Sequence, residues 1–123
     1  MTKESIIREI LLMFLTKCNW GTPERQGNYL DTHIAFFLKM AENRNMSIHD
    51  LRDMQRKLKR KRMTREEVAQ ARAIIDESLG SYSSTVVIRR ATSKFWIIVG
   101  KIWLAMGGQN GDDSGVGGGG VRG

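Results

Sequence analysis

In Ser5-Ile6-Ile7-Arg8-Glu9-Ile10-Leu11-Leu12-Met13-Phe14-Leu15-Thr16-Lys17-Cys18, apolar side chains fall at Ile6, Ile7, Ile10, Leu11, Met13, Phe14 and Leu15. That is the i, i+3, i+4, i+7 recurrence of a helix rather than the alternation of a strand. Thr2 and Ser5 both suit the N-cap, because a short side-chain oxygen there can accept from a free backbone N–H. More than half of the helix circumference is apolar, so it must be covered on several sides, by the rest of a bundle or by a second copy.

The same periodicity recurs along the chain. The run Asn19-Trp20-Gly21-Thr22-Pro23-Glu24-Arg25-Gln26-Gly27-Asn28 is rich in turn residues and predicts a loop. A second helix is expected over Asp31–Asn43, with Ile34, Phe37, Leu38 and Ala41 as its stripe and Phe36 and Met40 widening it. A third is expected over Ser47–Arg62, where Ile48, Leu51, Met54 and Leu58 share one face and Ser47 with Asp50 forms a weak capping box. Thr64 followed by Glu67 makes a better box and predicts a new helix to Leu79, with Gly80 as its stop. No Pro or Gly interrupts 47–79, so a single helix of about 50 Å competes with that break; the second box favours the break.

Ser81-Tyr82-Ser83-Ser84 reads as a linker. Val86, Val87 and Ile88 are β-branched, but no second strand exists to pair with them, so they begin the last helix or form an extended connector. Thr92–Met106 has a helical pattern that is apolar almost all round. The expected fold is therefore all-α: a compact bundle of four to five helices over residues 1–106. A disordered glycine-rich tail over 107–123, which holds nine of the thirteen glycines, is expected to follow it.

The chain has 123 residues, 41% of them hydrophobic and 27% charged, proportions that suit one folded domain. A single cysteine, Cys18, excludes an internal disulfide framework. Cys18, His33 and His49 fall at no metal-ligand spacing, and the adjacent carboxylates Glu66-Glu67 and Asp76-Glu77 point apart on a helix. No glycine loop precedes a helix to cradle a phosphate, and no serine is placed for a triad with His49 and Asp50. The expectation is a protein that is not an enzyme and uses no metal and no cofactor.

Charge carries the functional signal. The formal net charge is +7, and the window 52–65 holds eight basic residues against the single acid Asp53, the whole excess of the chain. Those eight are Arg52, Arg56, Lys57, Lys59, Arg60, Lys61, Arg62 and Arg65. On a helix Arg52, Arg56, Lys59 and Arg60 follow one ridge and can meet successive phosphates, so a nucleic acid, RNA or DNA, is the expected partner. The signal is electrostatic and carries no base preference. A solvated helix face is the plainer alternative, although such faces mix both signs. A helix-turn-helix is disfavoured by the glycine-free connection and by Glu66 and Glu67 at the head of the would-be recognition helix.

Phe95 to Met106 spans about 18 Å as a helix, too short to cross a bilayer. It is expected to be the buried partner of the Ile6–Leu15 helix. The alternatives are a homo-oligomer seam or a membrane-peripheral helix, in either case through Phe95, Trp96, Val99, Ile102 and Trp103, with the basic helix on anionic lipid. Trp20 either tucks under its loop or stacks on a partner. No secretory signal is expected, since the N-terminal apolar run lacks a basic lead-in. Lys59-Arg60-Lys61-Arg62 has the composition of a nuclear-import patch. The expected location is intracellular: nuclear in a eukaryotic host or for its virus, otherwise cytoplasmic.

Overall fold

The computed structural model describes residues 1–79 and 84–108, which form five helices: α1 (Lys3–Lys17), α2 (Pro23–Asn43), α3 (Ile48–Arg60), α4 (Arg65–Ser78) and α5 (Thr85–Ala105). No strand occurs among the described residues. The fold is the all-α bundle that the periodicity predicts. Gly80 and the residues 81–83 read as a linker lie outside the described residues, as does 109–123 of the tail.

Each helix starts on a hydroxyl. Thr2, Thr22, Ser47, Thr64 and Ser84 are the N-caps, each accepting from the backbone N–H three residues on. Full capping boxes close at Thr2/Ser5, Ser47/Asp50 and Thr64/Glu67. The last of these ends the question of one helix or two: Lys61 is extended, at φ −67° and ψ 130°, and α4 begins anew after it.

Three helix ends share one geometry. Asn19, Asn45 and Gly107 take positive φ after α1, α2 and α5. The next N–H then reaches back five residues: Trp20 to the Leu15 carbonyl, Met46 to Ala41, and Gly108 to Trp103. This is the Schellman closure, in which the residue after the left-handed position folds back onto the helix. It buries Trp20 and Met46. Gly107 and Gly108, the glycine pair at the head of the tail, finish α5.

One boundary differs from the sequence reading, and one alternative it left open is decided. The predicted loop 19–28 is mostly helix, because Thr22 caps and Pro23 occupies the first turn, where its missing N–H costs nothing. The last helix starts at Thr85 and takes in the β-branched run, which is thus the start of that helix and not an extended connector.

The core runs through the middle of the bundle. Phe14 of α1 and Phe37 of α2 meet Phe95 of α5 edge-on at 6.1 and 5.9 Å, and Phe37 meets Trp96 at 5.9 Å. Helix α5 packs on α4, α2 and α3, and α1 packs on α2 and α3. Ile6, Ile7, Ile10, Leu11, Phe14 and Leu15 are all buried, which accounts for the wide apolar face of α1 within a single chain. Gly27 lies inside α2 with nothing within 4 Å of where a Cβ would sit. Gly27→Ala is therefore expected to stabilise the protein by about 0.5–1 kcal/mol, read as a rise in melting temperature of a few degrees. No gain would return this segment to the loop of the sequence reading.

His33 is buried, stacked on Tyr29 at 4.2 Å, and its Nδ1–H donates to the Tyr29 carbonyl at 2.7 Å. Its Nε2 is buried and has no partner among the described residues. Burial holds its pKa below the ordinary 6.5, against the smaller opposing pull of the Tyr29 carbonyl. The unfolded chain thus takes up a proton that the folded one refuses, so the contribution is full above pH 6.5 and is lost as pH falls toward the folded-state pKa. Stability is expected to decline as pH falls below about 6.5, and His33→Phe is expected to flatten that decline in denaturant titrations.

Candidate nucleic-acid interface

The basic residues of 52–65 lie on α3, on the extended link 61–64 and at the first residue of α4. Leu51, Met54 and Leu58 turn inward and are buried, while Ile48 at the start of the stripe stays partly exposed. Arg52, Arg56, Lys59, Arg60, Arg62 and Arg65 are exposed. Arg52, Arg56 and Lys59 line a shallow concavity of about 370 Å³ together with Met1 and Gln55. The ridge expected from the spacing is present.

Two of the eight cations serve the fold. Lys57 pairs with Asp53 at 2.8 Å and its side chain is 28% exposed; its Nζ also donates to the Gly107 carbonyl at 3.1 Å. Lys61 pairs with Glu67 at 3.2 Å and is 22% exposed. The i,i+4 spacing of Asp53 and Lys57 on one helix permits the first pair, whereas the second depends on the link 61–64 bringing Lys61 to Glu67. Arg56 donates to Asp53 at 2.8 Å while keeping most of its side chain in solvent.

Asp53, the one acid in the window, joins α3 to α5. Its Oδ2 accepts from Lys57 at 2.8 Å and from the indole Nε1–H of Trp103 at 3.0 Å. Burial pushes its carboxyl up, but the bonds from Lys57, Trp103 and Arg56 outweigh that and hold it below the ordinary carboxylate range. Glu67 is held low in the same way: burial raises it, and the Thr64 N–H and Lys61 more than compensate.

The far end of α3 is held by α1. Lys17 Nζ donates to the Lys59 carbonyl at 3.2 Å and the Lys61 carbonyl at 2.7 Å. A cation on free carbonyls at a C-terminus complements the helix dipole, as do Lys57, Lys59 and Arg60 in the last turn. Part of the basic run thus has a structural reason.

Phe95, Trp96, Val99, Ile102 and Trp103, considered as an oligomer or membrane face, are instead core residues. All are at most 7% exposed, because α1, α2, α3 and α4 cover them within one chain. The segment is buried within one chain, as expected, but it packs on α4, α2 and α3 and meets the first helix through Phe14 against Phe95. No helix among the described residues is long and apolar enough to cross a membrane. Cys18 is buried, and burial pushes its thiol up despite Arg72 nearby. No group of His, Cys, Asp or Glu suited to a metal ion occurs among the described residues. Trp20 is buried against Tyr29 at 5.5 Å with Arg25 over its ring, so it covers the core. Helices α3 and α4 make little contact with each other, unlike the two helices of a helix-turn-helix.

The sequence reading missed a second cationic surface. Lys39 of α2 and Arg89, Arg90 and Lys94 of α5 surround a groove whose walls include Phe36, Met40 and Val86. These four residues are scattered in sequence, and only the packing of α2 on α5 brings them together. No protein-family model, curated protein or solved structure matches the chain.

Removing the Asp53 carboxylate is expected to separate stability from charge. Asp53→Ala strips the acceptor from Trp103 and the counter-ion from Lys57, at an expected cost of about 1.5–3 kcal/mol. A denaturant midpoint equal to that of the unmodified protein would show that this junction does not hold α3 on α5.

Proposed function

We propose that the chain is a small non-enzymatic nucleic-acid-binding protein, of the packaging or regulatory kind, which grips phosphates through α3 and the start of α4. The observation that carries this reading is a run of six exposed cations, Arg52, Arg56, Lys59, Arg60, Arg62 and Arg65. Five of them have no carboxylate partner among the described residues. The two cations that do bind inward fix the helix on which the others stand. A nucleic-acid backbone supplies charge at regular spacing, and cations on one ridge release its counterions on contact. The aromatic rings near this surface are buried or engaged with the core, so the mode is phosphate contact without base stacking. The same chemistry makes the reading indifferent to sequence and open to RNA or DNA.

Burial of the five apolar residues of α5 leaves lipid insertion through them without support. Contact of α3 with an anionic surface by charge alone is an outcome that the binding experiment distinguishes. In a salt series with a short duplex and with a single strand, log K is expected to fall with log salt at a slope of about −3 to −5, as for four to six phosphates. Replacing Lys59, Arg60 and Arg62 together by Gln, while leaving Lys57 and Lys61 to hold the fold, is expected to bring that slope toward about −1 to −2. Unchanged affinity in the folded triple variant, or tight binding to anionic vesicles with none to nucleic acid, would contradict the proposal.

A further inference from the structure

The groove between α2 and α5 is independent of the basic ridge. Its volume is about 530 Å³, and it is lined from α2 by Phe36, Lys39, Met40 and Asn43. From α5 come Val86, Arg89, Arg90, Ser93 and Lys94. It lies by the first turns of α5, whereas α3 is tied to the other end through Trp103 and Gly107. Arg90 and Trp103 are separated by about 20 Å along the helix at 1.5 Å per residue. One ligand contact at the ridge does not reach the groove.

Three features of this groove have the same sense. Val86 is 61% exposed, a large value for an apolar side chain beside the apolar Phe36 and Met40. Lys39, Arg89 and Arg90 have no carboxylate or hydrogen-bond partner among the described residues, and Lys94 is held at the rim by Glu77 at 3.3 Å. Helix α5 has no acid in its first turn, so the positive end of its dipole adds to the potential of these cations. An anionic partner relieves that potential, and an apolar side chain on the same partner covers Val86 and Met40.

We infer that the α2–α5 groove docks an acidic amphipathic helix of a partner protein, with one or two apolar anchors on its floor and carboxylates on Lys39, Arg89, Arg90 and Lys94. This is helix-in-groove recognition, in which an apolar stripe gives the anchor and flanking charge gives the orientation. A nucleic acid fits less well, because Phe36 is the only ring on the lining among the described residues and phosphates gain nothing from Val86 and Met40.

The test is a titration of the isotopically labelled protein with two synthetic helical peptides, followed through its backbone amide resonances. One peptide carries Leu along one face and Glu elsewhere; the second carries Gln in place of Glu. The first is expected to shift amides of residues 36–43 and 86–94 saturably at up to millimolar concentration, and the second to bind about tenfold more weakly. Arg89→Glu with Arg90→Glu is expected to cause a similar loss, as is Val86→Glu. Acids near the start of α5 favour its dipole, so these variants are expected to fold, and an unchanged helical dichroism checks it. Absence of shifts at millimolar peptide, equal binding of the Gln peptide, or shifts on 52–65 instead would overturn the proposal. The Lys59, Arg60 and Arg62 variant leaves the groove intact, so failure here is separable from failure of phosphate binding there.

Discussion

Helix α5 sets the central constraint: Phe95, Trp96, Val99, Ile102 and Trp103 spread around it, and water cannot be allowed to reach them. Four other helices cover it, and the manner of covering fixes where every charge ends up. Helices α1 and α2 supply Phe14 and Phe37 to its middle. Helix α4 packs along it through the face of Ala71 and Ile75. Helix α3 reaches it through a polar clasp, Trp103 Nε1–H to Asp53. Since burying an indole without a partner for its N–H is costly, that clasp also fixes the rotation of α3. With Leu51, Met54 and Leu58 turned inward, Arg52, Arg56, Lys59 and Arg60 are turned to solvent, and Asp53 stands at the margin between the two.

Basic side chains hold several helix ends together. Lys17 of α1 binds carbonyls at the end of α3, and Lys57 of α3 binds the Gly107 carbonyl after α5. Arg72 of α4 donates to the Cys18 and Asn19 carbonyls after α1 at 3.2 and 3.3 Å. Each places a cation against the negative end of another helix's dipole and satisfies carbonyls that have no partner within their own helix. A net positive chain can fold compactly in this way because some of its charge is spent on helix ends. Among the described residues, the ridge and the α2–α5 groove are two clusters of cations of like sign separated along α5.

Much of this was legible in the residues. The caps Thr2, Ser47 and Thr64 and the stripes of α1 and α3 follow from spacing, and so does the break after Arg60, since a Thr-x-x-Glu box is a start signal in its own right. The beginning of α2 was hidden because Thr22, Pro23 and Gly27 are turn residues by frequency, yet the first two are also the ideal opening of a helix. Trp20 looked like a loop aromatic; its burial depends on Asn19 taking the left-handed conformation, a role that asparagine shares with many ordinary turns. The ridge could be drawn on a helical projection. The Asp53–Lys57 pair is an i,i+4 pattern on one helix, but its turn toward Trp103 and the pairing of Lys61 with Glu67 depend on tertiary placement, and the groove joins residues about fifty positions apart, so these have no local signature.

Lysine footprinting reads the central claim in one experiment. Amine acetylation followed by mass spectrometry, with and without a short nucleic acid at low salt, reports Lys59 on the ridge and Lys39 and Lys94 at the groove in the same sample. The account predicts that Lys59 loses reactivity when nucleic acid is bound while Lys39 and Lys94 keep theirs. Protection of Lys39 and Lys94 with Lys59 still reactive would contradict it.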